Sequence, residues 1–324
     1  MKKQIVLIFT VLSSYIYSDA QSEALAAKEP PPITTPWLTG PLLTPSAVAV
    51  PKGSYEVEPY LFYTIFTGFY NEHWKAKSIP TFYQTNLQMI GWVGITKNAD
   101  ISLIVQGFYN STEGVSDSGI GDPSLTLDWQ LFSENQSSLW IPSIKLSVAE
   151  TFPVGKYQHL NPHKKLTDGM GQGTFTTTFG LTFSKIYSFG GDRYLSSILS
   201  FSNGISTPVS IRGLSVYQGD ITTKGTIYPG NANKILYGTE YSLTKHWVLA
   251  LDIGAFFYAK TRFSGHTKSF AGFPSSTQIT LSPAIEYNWS ATLGAIFGVW
   301  FTVLGRNDYQ FVSPAAAVSI YGIF

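Results

Sequence analysis

The segment Ser124-Leu125-Thr126-Leu127-Asp128-Trp129-Gln130-Leu131 carries apolar side chains at its odd positions and polar ones at its even positions. Successive side chains of an extended chain point to opposite faces, so this pattern describes a strand with one apolar and one polar side. The pattern recurs. Phe175, Phe179, Leu181 and Phe183 alternate with Thr174, Thr176, Thr178, Gly180 and Thr182. Trp247, Leu249, Leu251, Ile253 and Phe257 alternate with Asp252 and Gly254. Ile144, Leu146 and Val148 oppose Ser143, Lys145 and Ser147, and Ile279, Leu281 and Ile285 oppose Gln278, Thr280, Ser282 and Glu286. Reading outward from these, strands are predicted near 54–69, 80–95, 100–110, 124–132, 140–151, 173–187, 193–203, 233–243, 246–260, 276–287, 291–303 and 309–324. Each is near or above the ~9–11 residues that a tilted strand needs to cross a bilayer. The chain has no stretch of 18 apolar residues, which excludes helical spans.

The connections sort into two kinds. Thr96–Asn98, Ser133–Ser138, Phe189–Gly191, Thr244-Lys245 and Asn288–Ser290 are short, whereas 70–79, 111–123, 152–172, 204–232 and 261–275 are long. The kinds alternate along the chain until Gly305–Asn307, which is short where a long loop is due. An even strand count with loops sorted by parity belongs to an outer-membrane barrel. A soluble sandwich has no reason to sort its loops. The expected fold is all-β: a transmembrane antiparallel up-and-down barrel of twelve strands with both ends periplasmic.

Composition fits a chain that divides each strand between lipid and a polar interior. Of 324 residues only 13% are charged, about half the usual share, while 15% are aromatic. With 21 Lys+Arg against 20 Asp+Glu, the chain has no basic surplus to neutralise phosphates, which argues against nucleic acid. The absence of Cys excludes disulfides, thiolate metal sites and a lipidated N-terminal Cys. Lys2 and Lys3, the apolar run Ile5–Ile16 and the small residues Ser18-Asp19-Ala20 read as a signal peptide over 1–20. Its removal takes two of 21 basic and one of 20 acidic residues, leaving 19 of each sign. Residues 21–52 form a Pro-rich arm, with Pro30, Pro31, Pro32, Pro36, Pro41, Pro45 and Pro51. The arm is expected to lie in the periplasm or inside the lumen. Residues 53–324 are assigned to the barrel, and the expected location is the outer membrane of a Gram-negative bacterium.

Two sets of residues follow from the register. Trp129, Trp140, Trp247 and Trp289 fall beside the short turns, with Tyr287 nearby, and are expected to form a periplasmic aromatic girdle. The polar face carries Glu56, Glu58, Gln88, Asp128, Lys145, Glu240, Asp252 and Glu286. A charge facing lipid at midplane costs ~2–4 kcal/mol, so these eight are expected to line the lumen. Lys145, the only base among them, would need an acid partner there. The set reads either as a weakly cation-preferring or neutral-solute path, or as a structural polar network. Tyr60, Phe62, Ile90, Trp92, Phe108 and Trp300 share the inward register. They would suit an apolar or aromatic solute, or would pack around an inserted arm. The chain stops on Ser319-Ile320-Tyr321-Gly322-Ile323-Phe324. Its terminal Phe is the kind of ending the barrel assembly machinery reads, although Gly322 stands where an apolar residue is common.

Chemistry is sparse. His73, His159, His163, His246 and His266 fall in loops or at strand starts. His159 and His163 are four apart, but Pro162 precludes the helix that would align them for zinc. Gly119-Ile120-Gly121-Asp122 has no following helix and so is no phosphate loop. Ser202-Asn203-Gly204 resembles a stretch of outer-membrane phospholipase A, whose His two residues before the Ser activates it. Ser200 stands at that position, so no catalytic residue, cofactor or metal is expected.

The order Gly119-Ile120-Gly121-Asp122-Pro123, then Phe152-Pro153-Val154-Gly155-Lys156-Tyr157, then Gly171-Gln172-Gly173 resembles the MetA-pathway of phenol degradation family of outer-membrane proteins. The resemblance covers most of residues 40–324 and rests on short Gly-based turn motifs. It implies an outer-membrane barrel that passes small hydrophobic or aromatic compounds, and no site residues carry over with it. The expected function is a monomeric channel or transporter for such solutes. Outer-membrane lipid and, during biogenesis, the assembly machinery are its expected partners. The alternative is a non-transporting surface barrel, an adhesin or structural protein acting through loops 152–172 and 204–232.

Overall fold

The computed structural model describes residues 36–134 and 140–324. The expected signal peptide, the arm as far as residue 35 and turn residues 135–139 lie outside the described residues. The strands are β1 (Ser54–Tyr70), β2 (Ala76–Thr96), β3 (Ala99–Thr112), β4 (Val115–Ile120), β5 (Ser124–Phe132), β6 (Ser143–Thr151), β7 (Thr176–Ser188) and β8 (Tyr194–Ser206). They continue as β9 (Val209–Arg212), β10 (Lys224–Tyr228), β11 (Ala232–Ser242), β12 (Trp247–Tyr258), β13 (Arg262–His266), β14 (Ser276–Ser290), β15 (Leu293–Arg306) and β16 (Asp308–Ile323). Among the described residues no helix is long and apolar enough to cross a membrane, and the one 3₁₀ turn is Pro162–Lys164.

All the pairings are antiparallel. The wall runs β1, β2, β3, β5, β6, β7, β8, β11, β12, β14, β15, β16, and β16 returns to β1 from Ser54↔Ile323 to Tyr70↔Asp308. β4 and β5 pair in succession with the same edge of β3, at Gly107–Thr112 and Ala99–Ile104, so together they form one stave broken at Gly121-Asp122-Pro123. The barrel therefore has twelve staves and is closed. Closure leaves no edge with unpaired amides, which is what lets strands cross lipid.

The predicted strands match these staves to within a few residues, and the loops depart further. The expected connection 111–123 is a tight hairpin at Glu113-Gly114, whose φ values of 43° and 80° suit the left-handed turn, followed by β4. Residues 204–232 and 261–275 carry β9, β10 and β13. These strands have only four or five residues each and lack the length over which period two can be recognised. They extend staves β8, β11 and β12 past Thr207-Pro208, Pro229-Gly230-Asn231 and Ala259-Lys260-Thr261, and form a separate sheet in the order β9-β10-β13. Its inner face packs Val209, Ile211, Ile227 and Phe263 against Tyr157, Val216 and Tyr217 from neighbouring loops.

The outer wall is apolar. Leu61, Leu87, Met89, Leu103, Val105, Leu125, Leu127 and Val148 are all exposed on it. Trp129, Trp247 and Trp289 rim this band at the short-turn end, where Tyr287 sits 4.7 Å from Trp247 and 5.2 Å from Trp289, ring to ring. Tyr63, Tyr83 and Tyr109 form a second belt toward the other end, with Tyr63 and Tyr83 stacked at 6.2 Å. Only the first belt is visible in the sequence pattern. Two aromatic belts around an apolar band are the outer profile of a membrane barrel.

Two outcomes follow. Leu87 stands between the belts and is 61% exposed. Leu87→Arg should lower folding free energy in lipid vesicles by about 2–4 kcal/mol, read from urea refolding titrations, with Leu87→Ala milder. Arg tolerated there without loss would contradict a lipid-facing position. The second concerns the loop beside β10. Asp220 accepts from the Thr222 hydroxyl and amide and from the Lys268 amide, at 2.5, 2.7 and 3.0 Å. The Thr222 hydroxyl bond contributes most to holding its carboxyl down at about 2. A depressed carboxylate stabilises the fold above its unfolded value near ~4 and loses that stability as pH falls through its folded value. Hydrogen exchange at Thr222 and Lys268 should therefore quicken between about pH 4 and pH 2, and Asp220→Asn should abolish the change.

Candidate functional site

Residues 36–50 lie inside the barrel and span its width. The arm enters at the short-turn end, where the Val50 amide donates to Asp100 at 2.7 Å and the Ala49 amide to Gln130 at 3.0 Å. It rises to the middle of β12, where Asp252 accepts from the Leu43 and Thr44 amides at 3.2 and 2.9 Å and from the Thr44 hydroxyl at 2.6 Å. It then descends. The Gly40 amide donates to Glu240 at 2.9 Å, the Thr39 amide to Glu286 at 3.0 Å, and Asn288 donates to the Trp37 carbonyl at 3.1 Å. Trp37 ends the path at the short-turn end, with the His246 ring 5.2 Å away and Lys245 Nζ over its face at 4.4 Å. β3 and β5 lie opposite β11, β12 and β14 in the wall, so the arm bridges the lumen.

The local sequence explains the fit. An extended Pro-punctuated segment makes few internal hydrogen bonds, so its remaining amides are free to donate outward. Buried carboxylates need such donors. Leu42 packs into an inward cluster of Ala250, Ile296, Ala315 and Ala317, with Tyr60 and Phe62 against it. Three inward glycines make room. A Cβ on Gly238 would lie 2.7 Å from Thr44 Cβ and 2.8 Å from Pro41 Cγ, and side chains on Gly94 and Gly294 would meet Pro51 and Thr39.

The rest of the lumen is more open. Gln84, Asn86, Gln88, Ile90 and Trp92 of β2, and Gln106 and Phe108 of β3, keep partial exposure on the inner wall. Gln84 donates to Asn110 at 3.0 Å, Asn86 to Gln106 at 3.5 Å and Gln106 to the Asp122 carbonyl at 3.1 Å. Toward the long-loop end the wall turns aromatic. Phe66 lies 6.1, 5.6 and 5.9 Å from Phe82, Tyr309 and Phe311, and Trp300 lies 4.7 Å from Phe311.

The three glycine motifs meet at this end. Asp122 accepts from the Val154 and Gly155 amides at 2.9 and 2.8 Å and from the Gln172 amide at 2.6 Å. The close approach requires glycine. A Cβ on Gly171 would stand 2.5 Å from Asp122 Oδ1 and 2.7 Å from Gly155 Cα. Loop 152–175 is thereby drawn toward the inner wall of β3, where Asn110 donates to the Thr167 carbonyl at 3.0 Å. Asp168 holds Lys156 at 2.6 Å and the Asn161 amide at 3.0 Å, and Lys164 reaches Asp117 of β4 at 2.6 Å.

Of the residues read from the register, Glu56, Glu58, Gln88, Asp128, Lys145, Glu240, Asp252 and Glu286 all stand on the inner face. Glu240, Asp252 and Glu286 hold the arm. Asp128 accepts from Ser147 and pairs with Lys145 at 3.5 Å. Glu56 accepts from Ser319 at 2.7 Å, Glu58 from Tyr60 at 2.9 Å, and Gln88 is partly exposed. Trp129, Trp140, Trp247 and Trp289 face outward or into the turns at one end. Asp100, Gln130 and Asn288 also hold the arm, and neither they nor the hub role of Asp122 is signalled by the sequence pattern. The first two sit beside the turn after β2 and the β5 bulge, where alternation gives no clue to a partner 50 or 81 residues away. Ser200 is buried and bonds Thr182 at 3.0 Å, and Asn203 bonds Asn233 at 2.8 Å.

A closed twelve-stave barrel with an apolar outer band, two aromatic belts and a polar interior is an outer-membrane β-barrel. No protein-family model and no curated protein matches this chain. Among solved structures it is similar to an outer membrane channel from Pseudomonas putida F1, with a TM-score of 0.67 and 11% identity over 86% of this chain and 98% of that one. Two further barrels align more loosely. One is the transport unit of the autotransporter AIDA-I from Escherichia coli, with a TM-score of 0.45 and 11% identity over 83% of this chain and 90% of that one. The other is a mutant of the TodX monoaromatic hydrocarbon channel, with a TM-score of 0.38 and 10% identity over 85% and 91%.

The Asp122 hub yields a direct test. Hydrogen bonds to a charged group contribute about 1.5–3 kcal/mol each, and Asp122→Ala removes three. The barrel should keep its heat-modifiable mobility on detergent gels, while trypsin cleavage at Lys156, Lys164 and Lys165 accelerates severalfold. Unchanged cleavage would mean that the loop is held elsewhere.

Proposed function

We propose that this protein is an outer-membrane channel for small hydrophobic or aromatic solutes, closed at rest by residues 36–50. The carrying observation is the row of arm amides on Asp100, Glu240, Asp252 and Glu286, which crosses the lumen in its short-turn half. A barrel whose only task is to hold loops outside the cell needs no such crossbar. The short-turn end is then periplasmic, and the arm comes from that side. The aromatic wall around Phe66, Phe82 and Tyr309 suits an apolar solute at the mouth, and the partly exposed Gln and Asn side chains of β2 and β3 continue the path inward. The short Gly motifs that resemble the MetA-pathway of phenol degradation family support the same solute class. Among the described lumen residues acids outnumber bases, so ions that pass should be mainly cations.

Deletion of residues 36–50 should raise single-channel conductance in planar bilayers several-fold and shift reversal potentials toward cation preference. Gly238→Val, which pushes a side chain into Thr44 and Pro41, should give part of the same effect in the full chain. Vesicles carrying the shortened barrel should take up phenol faster than vesicles carrying the intact one. No flux from either form would leave the surface-barrel alternative as the better reading.

A further inference from the structure

The small β9–β10–β13 sheet has a second face, and nothing among the described residues covers it. The pairings set Arg212 beside Lys224 and Lys224 beside His266, so three basic side chains stand in one cross-strand row. All three are exposed, and among the described residues none makes an ion pair. Like charges directly opposite each other destabilise a sheet, so the Arg212–Lys224 pair costs stability unless something anionic meets it. The next row is Ser210, Thr226 and Ser264, all hydroxyls. The last pairs Tyr228 with Arg262, both exposed. No carboxylate lies on this face. Asp220, in the loop before Lys224, accepts from the Thr222 and Lys268 groups.

The chemistry is that of a phosphorylated saccharide. Guanidinium and ammonium groups meet phosphate with charge-assisted hydrogen bonds. A row of hydroxyls and a tyrosine ring meet sugar hydroxyls and sugar faces. The sheet grows directly out of staves β8, β11 and β12, whose outer wall presents Phe201, Ile205, Ile235 and Phe257 to lipid. The anionic saccharide within reach of such a position is the head of a glycolipid packed around the barrel. We propose that this face binds the phosphorylated sugars of outer-leaflet lipopolysaccharide, anchoring the loops over the channel mouth. This rests on the outer-membrane reading, with the long loops outside.

The test uses the full chain, refolded in phosphatidylcholine vesicles, and lipopolysaccharide as probe. Phosphorylated lipopolysaccharide should bind at least about tenfold more tightly than the same material after phosphatase treatment, since one charge-assisted contact is worth about that factor. Arg212→Gln, Lys224→Gln and Arg262→Gln combined should erase the difference while the gel mobility of the folded barrel is kept, because all three are exposed. Equal binding of both forms, or an unaffected triple variant, overturns the proposal. Competition by free glucosamine phosphate at the same phosphate concentration also overturns it, by making the face a soluble-solute site. Failure of the chain to insert into vesicles at all would instead overturn the membrane reading and this inference with it.

Discussion

The structure turns on one kind of bond: a backbone amide of the arm donating to a carboxylate on the inner wall. Twelve staves enclose a space wider than their own side chains fill. Acids placed on that wall face a poor alternative, because a buried charge without donors is costly. The Pro-rich segment supplies those donors because its geometry denies them partners of its own. Asp252 takes two successive amides and a hydroxyl from Leu43 and Thr44, and Pro41 and Pro45 flank that stretch. Glu240 and Glu286 hold the descending limb, and Asp100 and Gln130 hold the base of the ascending one. The glycines opposite the arm and the alanine-rich inner face of β16 follow from the same constraint. Wherever the arm passes, the wall must be small.

The other end of the barrel is organised by a second carboxylate used the same way. Asp122 interrupts a stave, and its two oxygens collect amides from both ends of the β6–β7 loop. In the sequence, Gly-x-Gly-Asp, Pro-x-Gly and Gly-x-Gly are three separate turn signals. In the fold they form a single junction, with Gly155 and Gly171 backbone to backbone beneath the aspartate. Their glycines are selected by contact with one another as much as by turn geometry.

What the chain reveals by its pattern divides along physical lines. Period two is local, so the staves, the outward apolar band and the inward acids are legible in the amino-acid order alone. The Trp belt is legible because indoles cluster beside short turns. The Tyr belt is not, since Tyr63 and Tyr83 lie within long strands with no turn beside them. β4 is hidden because Ser and Gly blunt its alternation, and β9 because four residues are too few to show one. The partners of the acids are illegible for another reason. The bonds from Thr39 to Glu286 and from Gly40 to Glu240 span 247 and 200 residues, and no local pattern encodes a contact at that distance.

The two inserts divide the lumen unequally, and the division bears on passage. The arm blankets the inner faces of β11, β12, β14 and β16 in the short-turn half, where the acids are concentrated. Loop 152–175 narrows the long-loop half from the β3 side, leaving Phe66, Phe82 and Tyr309 on the adjoining wall of β1, β2 and β16. A solute moving inward would meet aromatic surface first and the amides of β2 and β3 next. Only then would it reach carboxylates already occupied by backbone donors. While the arm is seated, its backbone stands between those carboxylates and a passing ion. Were it to leave, the same groups would face the path without those donors. On the channel reading, a single motion of the arm would set both the bore and the access of ions to these acids.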